Sequence, residues 1–221
     1  MNYYHRQIQL WGEETQNSLA DKSVAIIGSG GLGSSIGIAL SGSGIGTIYC
    51  IDFDTVATHN IHRQIAFIAG DEGESKSQVL ATLIKNRNPH IEAIALNKNF
   101  EEFSKMDIEV DLIIDATDNL PTRSAIDSYA KSKNTPWLYG SVEAFNGQVC
   151  FFENASFNDS FKVSDHKPAG IAAPIVMQIA SFQANLALRY LAGLPIEKDK
   201  LHFMFYNQNG EFTLQKFGVS S

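Results

Sequence analysis

The sequence predicts an α/β fold with a mainly parallel central sheet, helices on both faces and closing antiparallel strands at the C-terminus. Three observations support this prediction. Apolar strand-like runs alternate with helix-like segments after residue 20, the first run ends in a glycine-rich turn, and an Asn-Gly pair separates two late strand-like runs. Regular alternation of strands and helices is typical of a parallel sheet covered by helices, and the Asn-Gly pair indicates a hairpin.

Periodicity places the elements in order along the chain. Strands are predicted at 23–28, 47–53, 91–96, 110–115, 136–140 and 146–152. Helices are predicted at 9–19, 31–43, 74–87, 119–133 and 172–192, the last with apolar residues at helical spacing. Two closing strands at 201–206 and 211–217 flank a turn. Residues 1–20 are predicted to form an N-terminal helix and arm. The polar, aperiodic stretch 154–167 predicts a crossover loop that reaches residue 170.

Length and charge narrow the class of protein. At 221 residues the chain favours one domain over residues 1–221, long enough to bury a substantial core. A net charge of −7 disfavours nonspecific binding to nucleic acid or anionic membranes. No apolar stretch reaches the roughly 18 residues that a membrane span needs, and the N-terminus shows no signal-peptide core. We therefore expect a cytoplasmic protein.

The glycine-rich turn indicates a nucleotide. Gly28, Gly30 and Gly33 follow an apolar run, and Asp52 closes the second run nineteen residues past Gly33. Such glycines allow phosphates to approach the backbone at a helix N-terminus, and a carboxylate at the second strand can accept ribose hydroxyls. The fold is therefore Rossmann-like. This fingerprint alone fits a dinucleotide oxidoreductase as well as any other nucleotide enzyme.

Three charged residues bear on the choice of nucleotide. Arg63 and Lys76 follow the second strand, and Asp118 follows an apolar strand later in the chain. Ligands of open α/β sheets bind at the carboxyl ends of strands, so these residues could converge on one phosphate site. ATP needs such cations and a metal, because its charges must be neutralised before attack at phosphorus. Each residue taken singly also fits a solvated surface or a helix cap.

Several motifs together resemble the ThiF/MoeB/HesA adenylyltransferases, and the ThiF type most closely. The resemblance runs from about residue 4 to 192. Its motifs are Tyr4-His-Arg-Gln-Ile8, Gly28-Ser-Gly-Gly-Leu-Gly33, Asp52-Phe-Asp54, Asn60-Ile-His-Arg-Gln64, Lys76, Asn88-Pro-His-Ile91, Asp115-Ala-Thr-Asp-Asn119 and Ala169-Gly-Ile-Ala-Ala-Pro174. It implies ATP-dependent adenylation of the C-terminal Gly-Gly carboxylate of a small ubiquitin-like sulfur carrier, with release of pyrophosphate.

The resemblance also implies roles for individual residues. It implies a nucleotide site made of Gly28, Gly30, Gly31, Gly33, Asp52, Asp54, Asn60, Arg63, Lys76 and Asp118. In that site Asn60, Arg63 and Lys76 contact phosphates, and Asp118 binds Mg²⁺. Arg6 corresponds to an arginine that reaches the ATP site of the neighbouring subunit, which implies a homodimer.

The sequence departs from the family in two ways. The Cys-x-x-Cys pairs that bind structural zinc in many members are missing, so we expect no zinc site. His166 occupies the place of a cysteine that can link covalently to the carrier. The remaining thiols, Cys50 and Cys150, lie in apolar strand-like runs that predict burial. We therefore expect the reaction to stop at the adenylate, with sulfur delivered by an external donor protein.

The sequence leaves four hypotheses open. The first is adenylation of a sulfur carrier, with a ThiS-like carrier of thiamine thiazole synthesis favoured and a MoaD-like carrier of molybdopterin synthesis close behind. Adenylation of a peptide C-terminus needs no cysteine either. An NAD(P)-dependent oxidoreductase would use the glycine turn but leaves Arg6, Arg63, Lys76 and Asp118 without a shared role. A non-catalytic scaffold that binds a carrier would not need the phosphate-facing residues.

Overall fold

The computed structural model describes residues 3–161 and 170–220. The strands are β1 (Ser23–Ile27), β2 (Thr47–Ile51), β3 (Glu92–Leu96), β4 (Leu112–Asp115), β5 (Trp137–Glu143), β6 (Asn146–Phe152), β7 (Lys200–Tyr206) and β8 (Phe212–Gly218). The helices are α1 (His5–Ser18), α2 (Gly31–Ser41), α3 (Lys76–Arg87), α4 (Phe100–Ser104), α5 (Leu120–Lys133), α6 (Phe157–Ser160) and α7 (Ala173–Leu191). Short 3₁₀ turns occur at Leu19–Asp21, Thr58–Asn60 and Ala69–Asp71.

All eight strands form one sheet in the order β3-β2-β1-β4-β5-β6-β7-β8. The first five in this order pair in parallel, and β5 through β8 pair antiparallel. Between β1 and β4 the chain order reverses, which is where open α/β sheets bind ligands at the carboxyl ends of their strands. The predicted mixed sheet with closing antiparallel strands is confirmed.

Helices cover both faces of this sheet, as predicted. Because side chains alternate across a strand, Val24 and Ile26 of β1 enter one core and Ala25 and Ile27 enter the other. The first core joins the sheet to α2, α3 and α7, and α7 covers this face as its apolar spacing predicts. The second core joins the sheet to α4, α5 and α6 and is rich in aromatic rings.

Some predicted boundaries are wrong. Helix α1 begins at His5 rather than at residue 9, because its first turn is polar and carries no apolar periodicity. Strand β5 continues to Glu143, three residues past its predicted end. Helix α4 is missing from the prediction, although Asn99 and Glu102 form the capping box that marks its start.

The predicted crossover loop is only partly a loop. A short helix, α6, begins after Ser156, whose hydroxyl accepts a hydrogen bond from the Asp159 backbone amide. Asp127 of α5 holds this turn by accepting hydrogen bonds from the Ser156 hydroxyl and the Phe157 amide at 2.9 and 3.1 Å. Four residues are too few to show helical periodicity, so the sequence pattern alone did not reveal this turn. Residues 162–169 of the predicted loop, including His166, lie outside the described residues.

No helix among residues 3–161 and 170–220 combines the length and the apolar character that a membrane crossing requires.

Candidate active site

The turn between β1 and α2 is closed so tightly that it requires glycine. Gly28 has a φ of +95°, and a Cβ there would lie 2.7 Å from the Ala116 carbonyl oxygen. A Cβ on Gly33 would lie 1.8 Å from the Gly28 carbonyl oxygen. Any larger residue would open the turn and separate it from the loop after β4. The predicted strand–turn–helix unit is confirmed.

The N-terminus of α2 opens onto this turn. Gly30 is its N-cap residue and offers no side chain to the first amides of the helix. A helix start without a capping side chain leaves backbone N–H groups and the positive end of the helix dipole available to an anion. Gly31 lies against α7, because a Cβ there would come within 2.9 Å of Val176 Cγ1.

Asp52, directly after β2, braces the glycine turn. It is 8% exposed, and its two carboxylate oxygens accept hydrogen bonds from the Ser29 amide at 2.6 Å and the Asp54 amide at 2.8 Å. Burial raises the pKa of the Asp52 carboxyl, and the two amide hydrogen bonds oppose that rise. The sequence suggested only ribose binding for this residue, and the bracing role appears in the structure.

Lys76 is a buried cation at the start of α3. Its side chain is 7% exposed, and its ammonium lies 2.9 Å from a carboxylate oxygen of Asp54. The Lys76 backbone amide donates to the Asp54 carbonyl at 3.0 Å, so the two residues are joined twice. A buried lysine is costly unless its charge is compensated. The protein therefore holds a positive charge in a fixed place, with a half-exposed carboxylate as its partner.

Arg63 lies beside the glycine turn. Its guanidinium donates to the Asn60 side-chain oxygen at 2.9 Å. A Cβ on Gly31 would lie 3.6 Å from the Arg63 carbonyl oxygen and 3.8 Å from its Cγ. The next residue, Gln64, approaches Gly30 in the same way, with its Nε2 at 3.4 Å. The segment 60–64 therefore packs directly on the turn that the sequence assigned to phosphates.

Asp118 lies on the loop after β4, on the other side of the glycine turn. Its side chain is exposed, and no hydrogen bond or ion pair joins it to another described residue. The contact between Gly28 and Ala116 places this loop next to the turn. In the described part of the chain, no three His, Cys, Asp or Glu side chains are grouped to hold a metal. One free carboxylate fits Mg²⁺, which binds through one or two carboxylates together with substrate phosphates.

Arg6 is the predicted site residue that the structure keeps apart from the others. It is exposed and donates to the Gln9 side chain at 3.2 Å.

Helix α1 is attached at the amino ends of the parallel strands, because Gln7 and Gln16 both donate to the Ser43 carbonyl at 2.9 and 3.0 Å. Asn88, at the end of α3, donates to the Tyr4 hydroxyl at 2.9 Å. Arg6 therefore lies near the amino ends of the parallel strands, whereas Lys76 and Asp118 lie near their carboxyl ends.

Two residues that were not predicted from the sequence contact Asp115, the last residue of β4. Arg123 of α5 forms a buried ion pair with Asp115 at 3.1 Å, and Gln183 of α7 donates to the Asp115 carbonyl at 2.9 Å. The local sequence pattern does not indicate either contact, because the partner residue, Asp115, belongs to a different element.

Neither cysteine is available for chemistry. Cys50 and Cys150 are free and buried, as predicted. Burial raises the pKa of Cys50 to about 12 and raises that of Cys150 as well, so neither forms a thiolate at neutral pH.

Comparison with known proteins identifies related chains. The model of the ThiF family matches residues 4–220. The protein is 31% identical over 208 residues to the adenylyltransferase and sulfurtransferase MOCS3 of Caenorhabditis briggsae, with 86% of this chain and 51% of that protein covered. The chain therefore spans about half the length of that relative.

Two shorter relatives are covered more fully. The sulfur carrier protein ThiS adenylyltransferase of Escherichia coli K12 is 32% identical, with 86% of this chain and 81% of that protein covered. The molybdopterin-synthase adenylyltransferase of the same strain is 30% identical, with 86% and 82% covered. Among solved structures, E. coli MccB with ATP has a TM-score of 0.85 at 22% identity, covering 99% of this chain and 72% of that chain. This last likeness supports the fold.

Proposed function

The chain belongs to the ThiF family, and from that premise we propose that it catalyses the adenylation of a small ubiquitin-like sulfur carrier. In the proposed reaction, ATP and the C-terminal Gly-Gly carboxylate of the carrier give an acyl-adenylate and pyrophosphate. The names of relatives that are about 30% identical support an adenylyltransferase of this kind.

The proposal rests mainly on the charged residues near the carboxyl ends of β1 and β4, the neighbouring strands between which the chain order reverses. Arg63 lies beside the glycine turn, and the loop before Asp118 contacts Gly28. Buried Lys76 is paired with Asp54, whose backbone amide is bonded to Asp52, the residue that braces the turn. A nicotinamide dinucleotide brings a pyrophosphate, for which the helix start and turn suffice. The additional cations and the free carboxylate fit a magnesium-bound triphosphate, whose larger charge has to be neutralised.

The proposed chemistry is one displacement at phosphorus. An oxygen of the carrier carboxylate forms a bond to the α-phosphorus of ATP, and the bond from that phosphorus to the bridging oxygen breaks, so pyrophosphate leaves. No general base is required, because a carboxylate is already ionised at neutral pH. The reaction is opposed by electrostatic repulsion between the carrier carboxylate and the negatively charged phosphates of ATP.

Residues of this chain would reduce this repulsion by positioning the phosphates and neutralising their charge. The glycine turn and the start of α2 would seat the phosphates, while Arg63, Asn60 and Lys76 would hold the oxygens on which negative charge develops. Asp118 would hold Mg²⁺, which neutralises charge on the triphosphate and leaving group when bound. Binding of the phosphates would give the Lys76 ammonium a second anionic partner besides Asp54.

We further propose that the enzyme is a homodimer in which Arg6 acts on the ATP site of the partner subunit. Helix α1 is tied to the amino edge of the sheet, and the five-residue strand β1 separates that edge from the glycine turn by about 16 Å. An arginine at this position is poorly placed to act on the ATP site of its own subunit. Its exposed side chain is accessible to a second copy of the chain. An arginine supplied in trans can raise the rate by orders of magnitude.

For the pathway we propose a ThiS-like carrier in thiamine thiazole synthesis, with a MoaD-like carrier in molybdopterin synthesis as the alternative. Relatives of both types match at similar identity, 32% and 30%. Because Cys50 and Cys150 are buried, we propose that sulfur comes from a separate donor protein and that this chain releases the adenylate.

ATP–pyrophosphate exchange tests this function. The purified protein is incubated with ATP, Mg²⁺ and labelled pyrophosphate, and with a ThiS-like carrier, a MoaD-like carrier or a free peptide. We expect exchange with the ThiS-like carrier ending in Gly-Gly and none with the same carrier lacking its last glycine. A preference for the MoaD-like carrier would change the pathway. Absence of exchange with every carrier, together with tight NAD(P)H binding, would contradict the proposal.

A further inference from the structure

The loop that carries Asp118 is fixed on both sides of that residue, while no hydrogen bond or ion pair joins the Asp118 side chain to another described residue. On one side, a buried carboxylate oxygen of Asp115 accepts hydrogen bonds from the Thr117 amide at 2.9 Å and the Thr117 hydroxyl at 2.6 Å. On the other side, Asn119 is the N-cap of α5 and accepts from the Thr122 amide at 2.9 Å. The backbone on either side of Asp118 therefore has little freedom.

Arg123 joins this loop to the body of the protein. Its Nε donates to the second carboxylate oxygen of Asp115 at 3.1 Å. Its Nη2 donates to the Thr117 carbonyl at 2.6 Å and to the Gly140 carbonyl of β5 at 3.1 Å. The guanidinium lies over the Tyr139 ring, 5.2 Å from its centroid. One side chain thus links strand β5, the end of β4 and the loop before Asp118.

Neither partner of this ion pair is accessible. The Arg123 side chain is 7% exposed and that of Asp115 is fully buried. A buried ion pair contributes little net stability, because desolvation of both charges offsets their attraction. Fixed geometry is what a forked guanidinium adds in such a place, since its donors hold several acceptors in one plane.

We propose that Arg123 is a positioning residue that aims Asp118 at the metal-bound triphosphate. This inference rests on the proposed function, because Asp118 acts as a magnesium ligand only there. Misplacement of a ligand by about 1 Å is enough to lower catalysis strongly, so a shorter or unforked side chain at position 123 should weaken the use of magnesium.

Calorimetry of ATP binding tests the inference without any carrier. The dissociation constant of ATP is measured with saturating Mg²⁺ and with EDTA, and the ratio of the two gives the magnesium enhancement. For Arg123→Lys we expect this enhancement to fall at least tenfold, with ATP affinity in EDTA unchanged. In an Asp118→Ala background, Arg123→Lys should cause no further loss of the enhancement, because the arginine acts through that carboxylate.

A second pair of variants serves if Arg123→Lys does not fold. Thr117→Val removes the hydroxyl bond to Asp115 and keeps the shape of the side chain, so the enhancement should fall by a smaller factor. Thr117→Ser retains the hydroxyl and should keep most of the enhancement. Asp111→Asn is the matched control, because it alters a carboxylate before β4, at its amino end, that accepts from the Ser23 amide at 2.8 Å.

The outcomes are separable. A normal magnesium enhancement in wild type that persists in both Arg123→Lys and Thr117→Val would overturn the positioning role alone. Equal losses in the presence of magnesium and of EDTA would show that Arg123 merely supports the fold, and would also overturn it. Absence of any magnesium enhancement in wild type would overturn the proposed function as well.

Discussion

Lys76 illustrates how single residues define the site. The sequence placed it at the start of a helix, where a lysine is usually solvated, and the structure buries its side chain against Asp54. A cation held in a site of low dielectric interacts more strongly with phosphate than one in water, because solvent screens it less.

Removal of one charge that we assign to ATP binding should reduce activity more than stability. We expect Lys76→Ala, Arg63→Ala, Asp118→Ala and Arg6→Ala each to lower carrier-dependent pyrophosphate exchange at least tenfold. Lys85→Ala is the control, because Lys85 lies on the same helix and donates to the Ile91 carbonyl at 2.8 Å, at the other edge of the sheet. Exchange is measured together with the thermal midpoint. Wild-type exchange in all four variants would remove these residues from the mechanism.

Gly33 tests the glycine turn. A Cβ at Gly33 would lie 1.8 Å from the Gly28 carbonyl oxygen, so Gly33→Ala should displace the turn. We expect a loss of about 1–3 kcal/mol in the free energy of unfolding. Gly42→Ala, where nothing lies within 4 Å of an added Cβ, should change stability by less than about 0.5 kcal/mol. Urea unfolding measures both, and equal effects at the two positions would contradict the close approach seen here.

The sequence revealed residues that have a local pattern and missed those defined by contacts across the sheet. The glycines and Asp52 stand at fixed distances from apolar strands, so their place in the site could be predicted. Arg123 and Gln183 could not be found in this way, because their partner, Asp115, belongs to a different element. Whether a charged helix residue faces solvent or a buried carboxylate depends on tertiary packing, which periodicity does not contain.

At the scale of elements, α1 and the β7–β8 hairpin differ in how well they could be predicted. The hairpin was predicted within one residue at each end of its strands, because its turn residues act locally. The first turn of α1 was missed because contacts with Ser43 and Asn88, far away in sequence, hold it in place.

The base of the hairpin should be sensitive to acid. Lys216 and His202 donate hydrogen bonds to Glu197, and these bonds lower the pKa of Glu197 from 4.5 to about 2. A carboxyl whose folded pKa is lowered stabilises the fold above its unfolded pKa, and this contribution is lost as the pH falls toward the folded value. Glu197→Gln should therefore be less stable than wild type at pH 7, with the difference shrinking between about pH 4.5 and pH 2.

Urea unfolding at a series of pH values measures this difference. Glu14→Gln is the control, because Glu14 is exposed on α1 and its side chain forms no hydrogen bond or ion pair with another described residue. A stability difference for Glu197→Gln that stays constant from pH 7 to pH 2 would contradict the assignment of the lowered pKa.

At the scale of the whole molecule, the mixed parallel and antiparallel sheet could be predicted from the sequence, whereas the proposed homodimer follows only from the family resemblance. Parallel strands, helices on both faces and antiparallel closure follow from element order, which the sequence contains. The meeting of two subunits depends on surface complementarity between copies, for which one chain offers only the outward position of Arg6.

Mixing two inactive variants tests action in trans. Arg6→Ala and Asp118→Ala proteins are combined and allowed to exchange subunits. In a mixed dimer one site keeps its own Asp118 and receives Arg6 from its partner. Random exchange makes half of the dimers mixed, each with one intact site of two, so about a quarter of wild-type activity should return. No recovery, with subunit exchange verified by tagged copies, would exclude action of Arg6 across subunits.

The central claim is that a carrier carboxylate attacks the α-phosphorus of ATP in this site. The most direct measurement uses a carrier whose C-terminal carboxylate is labelled with ¹⁸O, together with ATP, Mg²⁺ and hydroxylamine to trap the acyl group. Because the attacking oxygen remains bonded to phosphorus when the trap attacks the carbonyl carbon, the AMP released should contain ¹⁸O by mass spectrometry. Unlabelled AMP, or AMP formed equally well without the carrier, would contradict the account.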